Sequence, residues 1–532
     1  MRFHTPLSPI IYAKLLGSKL AGEYQPKITA TGMLKGDGNG NVVAATEGVD
    51  YGIVPAVTSE DDGKFAVVIG GKWDKLDAFI GEMDLATFNR YIVAGLGPSA
   101  APIGTALTCS KETSLSVTVG NPGGTVGITG ATVDDETFIA AIGHSDPTAY
   151  EFTFDGAAWH LDGTTVELSN YGITPTGTPA VDDELVVHVT ADEIPMNVLD
   201  YDYHTPANAN IQHSCTVGMT NCYQNLAFDA PEALIKVVDG LAGGSHFYIT
   251  LDHGAYGGGT GQDGVYGGTL AADQTIPAGG YLRHTTMGAY QSSYNTAQIT
   301  GGKWIAYDAN FQQIGAQIAT DSDDETGTNF GTATAQTANG NSPHVNFTSR
   351  NAYGDNRLEY SNWLQYANAS GTGWWVQKTE FDFPPSGIST LKGLLTGLDP
   401  VMLRSMMKVK IRTAIPTCDG GGYKDIETKV FPLSMTEVNL GTNNSVYETS
   451  FGLDNTLKTT PLSFYSGATN ADRIKTLNGS ARYWWLRSPY PSRSNIVRII
   501  GADGSLYYDS RGYVDSSGGL SAAWVIGNPY VN

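Results

Sequence analysis

Catalysis and metal binding need polar side chains at short, defined spacings, and this chain holds few such sets. Cys109, Cys215, Cys222 and Cys418 are scattered. Cys215 and Cys222 are close enough to pair or to share a metal, but no CxxC or Cys/His ligand spacing surrounds them, so buried or free thiols are expected. The acidic run "DSDDET" at 321–326 lacks the Asp-x-Asp-x-Asp-Gly loop with a distal Glu that a calcium site uses, and reads as a solvated loop. Glu380 and Asp382 could form a carboxylate pair for glycoside hydrolysis, yet Phe381, Phe383 and two prolines beside them favour a strand-to-turn edge. His160 and His188 fall inside alternating segments and read as strand residues. Nothing resembles a Ser-His-Asp set or a phosphate loop. No catalytic residue, cofactor or metal ligand is assigned on these grounds, and a non-enzyme is expected.

A different chemistry gathers near the carboxyl end, in "WWLRSPYPSRSNIVRIIGADGSLYYDSRGYVDSSGGL" (484–520). Five of the 13 arginines lie between Arg482 and Tyr513, among several tyrosines. From Leu486 to Ala523 there is no Lys, Glu, Gln, Met or Trp, although these types supply 67 of the 532 residues and about five would be expected in such a window. Tyr, Ser, Gly and Arg together make a recognition surface: large amphipathic rings at low entropic cost, adaptable small residues, and a guanidinium that stacks and bonds in pairs. Tyr, Ser, Gly and Asp also dominate exposed hairpins of turn-rich β proteins, so composition alone leaves both readings open.

The elements that must position these residues can be traced from the amino end. With 65 Gly, 24 Pro, 28 Tyr and only 16% charged residues, the composition is that of a turn-rich β protein. The length allows three or four domains. A net charge of -22 and a pI near 4.7 repel phosphate backbones and anionic membranes, and no apolar run reaches the span of a bilayer. Neither nucleic acid nor membrane insertion is expected, and synthesis in the cytoplasm as a soluble protein is.

A short apolar helix is predicted over Ile10–Leu20, followed by tight turns at "GDGNGN". Residues 105–191 alternate as sandwich strands, with Tyr150, Phe152 and Phe154 on one face and Trp159 as the central core anchor, which predicts a small Ig-like β-sandwich. "ADEIPMNVLDYDYHTPANAN" (191–210) reads as a linker. Beyond it, "APEALIKVVDGL" (230–241) has helical spacing, "HFYITL" reads as a strand, "HGAYGGGTGQDGVYGG" (253–268) as a flexible loop, "GDNRLEYSNWLQYANAS" (354–370) as helical, and 386–407 as two short helices around Gly397 and Pro400. Together these predict a compact α+β domain.

Three resemblances organise these pieces. "KGDGNGN" with Ala44-Ala45 and Gly48–Tyr51 resembles the linker phrase of bacteriophage fibre and head-fibre proteins, and the 150–190 pattern resembles a β-module of phage structural proteins. Residues from about 205 to 532 resemble the C-type-lectin-fold variable proteins of diversity-generating retroelements, of the gut phage and prophage type. The carrying stretches are "FDAPEALIKVVDGL", "YGDNRLEYSNWLQYANAS", "GWWVQKTEFDFPP", "LKGLLTGLDPVML", "KVFPLSMTEV", "WWLRSPY" and "GGLSAAWVI". The chain departs from that pattern at Tyr366-Ala367-Asn368 and Ser521–Trp524. A related fold houses formylglycine-generating enzymes, but Cys418 has no second Cys or His nearby in sequence.

This resemblance implies diversification by miscopied adenines. An AAC or AAT codon randomised at its adenines never yields Lys, Glu, Gln, Met or Trp, which matches the missing residue types. It also implies a ligand-binding surface formed by Tyr483, Tyr490, Ser492, Arg493, Asn495, Ile496, Ile499 and Gly501, with a second part formed by Tyr507, Tyr508, Asp509, Ser510, Arg511, Tyr513, Asp515 and Ser516. Trp484, Trp485, Leu486, Val497, Ile500, Leu506, Trp524 and Ile526 are the expected apolar support, with Arg487 and Asp503 pairing or capping.

The expected architecture is multidomain. A β-rich virion-attachment region over 1–100 leads to an Ig-like β-sandwich spacer over 101–192, a linker over 193–208, and a C-terminal α+β C-type lectin-like domain over 209–532. The function implied is a phage receptor-binding or surface-display protein on the virion, tail or capsid. Its partners would be a bacterial surface protein or glycan and, through the N-terminal region, other virion proteins, in a homotrimer by analogy. The rival expectations are a head fibre or decoration protein without diversified binding, and a glycan-degrading tail component.

Overall fold

The computed structural model describes residues 34–36, 42–44, 64–69, 72–77, 85–120, 131–133, 135–142, 149–229, 233–251, 264–287, 296–323, 344–347, 349–385, 387–440, 460–491, 493–507 and 512–529. The helix expected over Ile10–Leu20 lies outside them, as do Ser492, Tyr508, Asp509, Ser510 and Arg511. The described chain is β-rich, with short helices distributed among several sheets.

Two long strands, Ala106–Gly120 and Glu184–Tyr201, pair antiparallel from Glu184 to Asn197. At the far end of this ribbon, Leu185 and Val187 face inward with Tyr150, Phe152, Trp159 and Phe138 in a core of their own. At the near end, Ile194, Met196 and Val198 join Cys109 in the main core. The ladder shifts register between Thr190 and Ala191, where Ser114 pairs with Thr190 and Glu112 with Ala191, leaving Thr113 as a bulge between the two cores.

The stretch expected to be a linker over 193–208 is therefore largely strand. Its β-branched and apolar residues are buried on one face, and Tyr201 donates to the carbonyls of Gly97 (2.9 Å) and Ala101 (2.5 Å). Residues 85–101 likewise belong with the C-terminal region. The helix Leu85–Val93 buries Phe88, Asn89, Tyr91 and Ile92, and Asn89 exchanges two amide hydrogen bonds with the backbone of Asn528, at 2.9 and 3.1 Å. The 114–189 lobe leaves and re-enters the main domain through adjacent strands, as a lateral insertion rather than a link in series.

The lobe also differs from the Ig-like expectation. Its sheet joins Ala106–Gly120, Glu184–Tyr201, Ala149–Phe154, Trp159–Leu161 and Thr164–Val166. Among the described residues no second large sheet faces it. The helix Asp135–Ile142 instead drives Phe138 against Tyr150 and Phe152 at centroid distances of 5.4 and 6.4 Å, beside the short pair Thr132–Val133 and Ile173–Thr174. Phe138 and Phe152 hold the centre, while Trp159 packs on Phe154 nearer the rim.

In the main domain, "LIKV" at Leu234–Val237 is a strand, not the expected helix. Leu234, Ile235 and Val237 are buried and pair against Gly280–Arg283, a short apolar run that spacing alone cannot tell from a buried helix. His246–Leu251 is the expected strand, and Gly264–Thr269, expected as loop, pairs with it. Of the two helices expected over 386–407, Pro400–Ser405 forms; Asp399 caps it by accepting from Val401 and Met402, and Pro400 fills the first turn. The 354–370 segment shortens to a 3-10 turn, Leu358–Tyr360, and the Ser361-capped helix Asn362–Ala367. The strand Ala523–Ile526, wholly buried, pairs with Cys215–Met219, Met406–Met407 and Val430–Phe431 at the centre of the core.

Candidate ligand-recognition surface

A five-stranded sheet carries the Arg/Tyr-rich segment: Gln224–Leu226, Gly518–Leu520, Trp484–Pro489, Val497–Ile500 and Leu506–Tyr507, in that order. Its central strands are buried on both faces: Trp484 pairs with Ile500 and Trp485 with Ile499, and Leu486 and Val497 are fully buried as well. Both indole N–H groups are satisfied, Trp484 by the Arg473 carbonyl (3.1 Å) and Trp485 by the Leu226 carbonyl (2.7 Å). Beneath it, Arg487 forms a two-point pair with Glu437 at 2.6 and 2.5 Å and donates to the Pro432 carbonyl, while His204 donates Nε2–H to the same carboxylate at 3.0 Å. Burial alone would raise the Glu437 carboxyl, but Arg487 and His204 overcome it and hold it well below the usual carboxylate range.

The loops above are fastened by their main chain. The buried Asn356 donates its backbone N–H to the Ser494 carbonyl (2.7 Å) and its side-chain amide to the carbonyls of Arg493 (2.6 Å) and Ile496 (2.8 Å). Thr417 gives its N–H and its hydroxyl to the Pro491 carbonyl, at 2.6 and 2.8 Å. Asp229 donates its N–H to the Val514 carbonyl (2.9 Å), and Tyr483 and Arg482 both donate to the Ser517 carbonyl. Arg350 ties the two clamps together, reaching Asp355 beside Asn356 (3.2 Å) and Asp419 beside Thr417 (2.5 Å). Tyr353, on the same turn, stacks on Tyr513 with centroids 4.4 Å apart. Burial pushes the Asp355 carboxyl up to about 6 in spite of Arg350.

The sequence-expected residues divide by burial. Arg493 is exposed, and Tyr483, Tyr490, Tyr507, Asp515 and Ser516 are partly exposed. Tyr490 lies over the buried guanidinium of Arg498 at 4.6 Å, and Arg482 lies over Tyr483 at 4.5 Å. Asn495, Ile496, Ile499, Gly501 and Tyr513, expected on the ligand surface, are buried. Ile499 and Ile496 are packed in the main core, Gly501 is covered by the Tyr507 ring, and Tyr513 is stacked on Tyr353, so these five support the surface rather than face a ligand. The side-chain nitrogen and oxygen of Asn495 have no hydrogen-bond partner. Asp503 caps the hairpin tip, accepting from Ser505 N–H, Ser505 Oγ and the Tyr507 hydroxyl. Three phenols and a guanidinium on a fixed backbone can stack against a flat or apolar partner and hydrogen-bond its rim.

Asn356, Thr417 and Tyr353 were not legible as loop holders in the sequence, because their partners lie 74 to 160 residues away in the chain, and Arg350 joins the nearby Asp355 to Asp419, 69 residues on. The other candidate sets are not assembled. Asp382 is buried and accepts from Lys378 N–H, Thr379 N–H and Thr379 Oγ1, closing its own turn, while Glu380 is exposed. Cys109, Cys215 and Cys222 are buried and Cys418 exposed, all as free thiols. Among the described residues no three His, Cys, Asp or Glu side chains converge as a metal site, and no helix is long and apolar enough to cross a membrane.

Among known families, residues 339–526 match the one described as Domain of unknown function (DUF6273), a span that includes the Asn356 and Thr417 clamps and the 491–496 loop they hold. No curated protein and no solved structure matches the chain.

Proposed function

We propose that this chain is a receptor-binding or surface-display protein of a phage or prophage, whose carboxyl-terminal region presents a diversified, C-type-lectin-like surface to a bacterial surface protein or glycan. The observation that carries the reading is the way the loops are held. Asn356, Thr417, Asp229, Arg482 and Tyr483 grip the carbonyls of residues 491, 493, 494, 496, 514 and 517, and a carbonyl is the same whatever side chain its residue bears. A surface built so can exchange Tyr490, Arg493, Tyr507, Asp515 and Ser516 without moving its frame. The missing Lys, Glu, Gln, Met and Trp supply an independent support, through the codons that adenine miscopying can reach. Attachment to the particle falls to the N-terminal region, trimeric display follows the fibre analogy, and weak single contacts gain from avidity.

Two measurements test this. Sibling genomes should vary at exposed positions of 490–517 while keeping Asn356 and Thr417, beside a reverse transcriptase gene and a near-copy of the Trp485–Asn528 coding segment differing only at adenines. Purified protein should adhere to host cells, and the combined Tyr490→Ala, Arg493→Ala and Tyr507→Ala variant should lose adhesion by roughly 100-fold, as expected when the anchor residues of an interface are truncated. Uniform sequences in siblings, or unchanged adhesion, would sink the proposal.

A further inference from the structure

The hairpin from Ile500 to Tyr507 is folded so tightly that two of its glycines cannot be replaced in place. A Cβ on Gly504, at φ +75°, would stand 1.7 Å from the Asn470 carbonyl oxygen, a backbone atom that cannot yield, so Gly504 is fixed by the fold. Gly501 is different. A Cβ there would meet Cε2 and Cδ2 of Tyr507 at 2.1 and 2.4 Å and Asp503 Oδ1 at 2.6 Å, all side-chain atoms that can swing away. In the present chain the Tyr507 ring lies across Gly501, and its hydroxyl donates to Asp503 Oδ2 at 3.0 Å.

We infer that residue 501 determines specificity from beneath the surface, by setting the pose of residue 507: glycine lets Tyr507 lie flat with its hydroxyl engaged by Asp503, and any side chain at 501 lifts the ring and frees the hydroxyl for a partner. The flat pose offers a ring face, suited to the apolar face of a sugar or a side chain; the lifted pose offers a phenol donor, suited to a carbonyl or carboxylate. Residue 501 thus changes what is bound without touching it. This rests on the recognition role proposed above for its meaning, but the two poses are testable without any ligand.

Tetranitromethane labelling of the full chain, read by peptide mass spectrometry, should nitrate Tyr507 roughly tenfold faster in Gly501→Ala than in the unmodified protein, the factor that one released hydrogen bond represents, with Tyr483 and Tyr490 unchanged. Asp503→Ala, at an exposed position, should give a smaller rise in the same direction and covers the case in which Gly501→Ala folds poorly. In urea unfolding, Gly501→Ala should cost much less in a Tyr507→Ala background than alone. Equal nitration rates, or equal costs in both backgrounds, would overturn the inference while leaving adhesion to host cells intact; loss of adhesion in the combined surface variant bears only on the recognition role.

Discussion

At the scale of single residues, the Arg/Tyr-rich segment and the clamp that holds it each contain a side chain whose environment costs stability. Asn495 is fully buried with both amide atoms unpaired, and an unsatisfied buried polar group costs about 1–3 kcal/mol. Asn495→Leu, which keeps the branching and the heavy-atom count, should raise stability by roughly 1–2 kcal/mol in urea denaturation; a loss would mean that the amide has a partner in solution or that the larger side chain does not fit. Asp355 is the second case. Its folded pKa of about 6 lies above the ordinary 3.8, so the folded state favours the protonated form, and the benefit present below pH 4 is lost as pH rises through 6. At 1.36 kcal/mol per pH unit this amounts to at most about 3 kcal/mol. Asp355→Asn should therefore match the unmodified chain near pH 4, exceed it in stability above pH 7, and flatten the slope between; the reverse trend would show that Arg350 outweighs burial.

Among elements, the pattern of success and failure in reading the sequence has a common cause. His246–Leu251 and the capped helix Pro400–Ser405 were legible because their signals are local: alternation in one, an Asp-Pro start in the other. The apolar support at Trp484, Trp485, Leu486, Val497 and Ile500 was legible because it is a dense apolar set inside a polar segment. Leu234–Val237 misled because three apolar residues within four suit a buried strand as well as a helix. The split of the ligand surface into exposed and buried members was hidden, since Tyr513 is buried by Tyr353, a residue 160 positions earlier. Arg487 was read as a pairing residue and pairs with Glu437, though no local signal named that partner. Glu437→Gln leaves a guanidinium buried with its charge uncompensated, and should lower stability by about 3–5 kcal/mol, measured by thermal or urea unfolding at pH 7. A change under about 1 kcal/mol would mean that water reaches the pair.

For the molecule as a whole, the expectation of a serial arrangement gives way to a branched one. The lobe from Ser114 to Val189 has its own core, joins the main domain through the ribbon, and begins at the Thr113 bulge. Replacing residues 114–189 by an Asn-Gly turn should leave the rest folded, with one cooperative unfolding transition and hydrogen-exchange protection retained across Trp484–Ile500 and Ala523–Ile526. Loss of that protection would show that the lobe stabilises the main core. The sequence concealed the branch because both ribbon strands run unbroken through the boundary; no Pro/Gly-rich join marks it, as it would between modules strung in a row.

The clasp between Asn89 and Asn528 gives this layout a mechanical meaning. Tension entering from the amino-terminal side arrives at the helix Leu85–Val93, and the paired amides pass it into the backbone that continues the buried Ala523–Ile526 strand. If the chain displays a binding surface as proposed above, a pull between its two ends would load this clasp, with the side branch off that line.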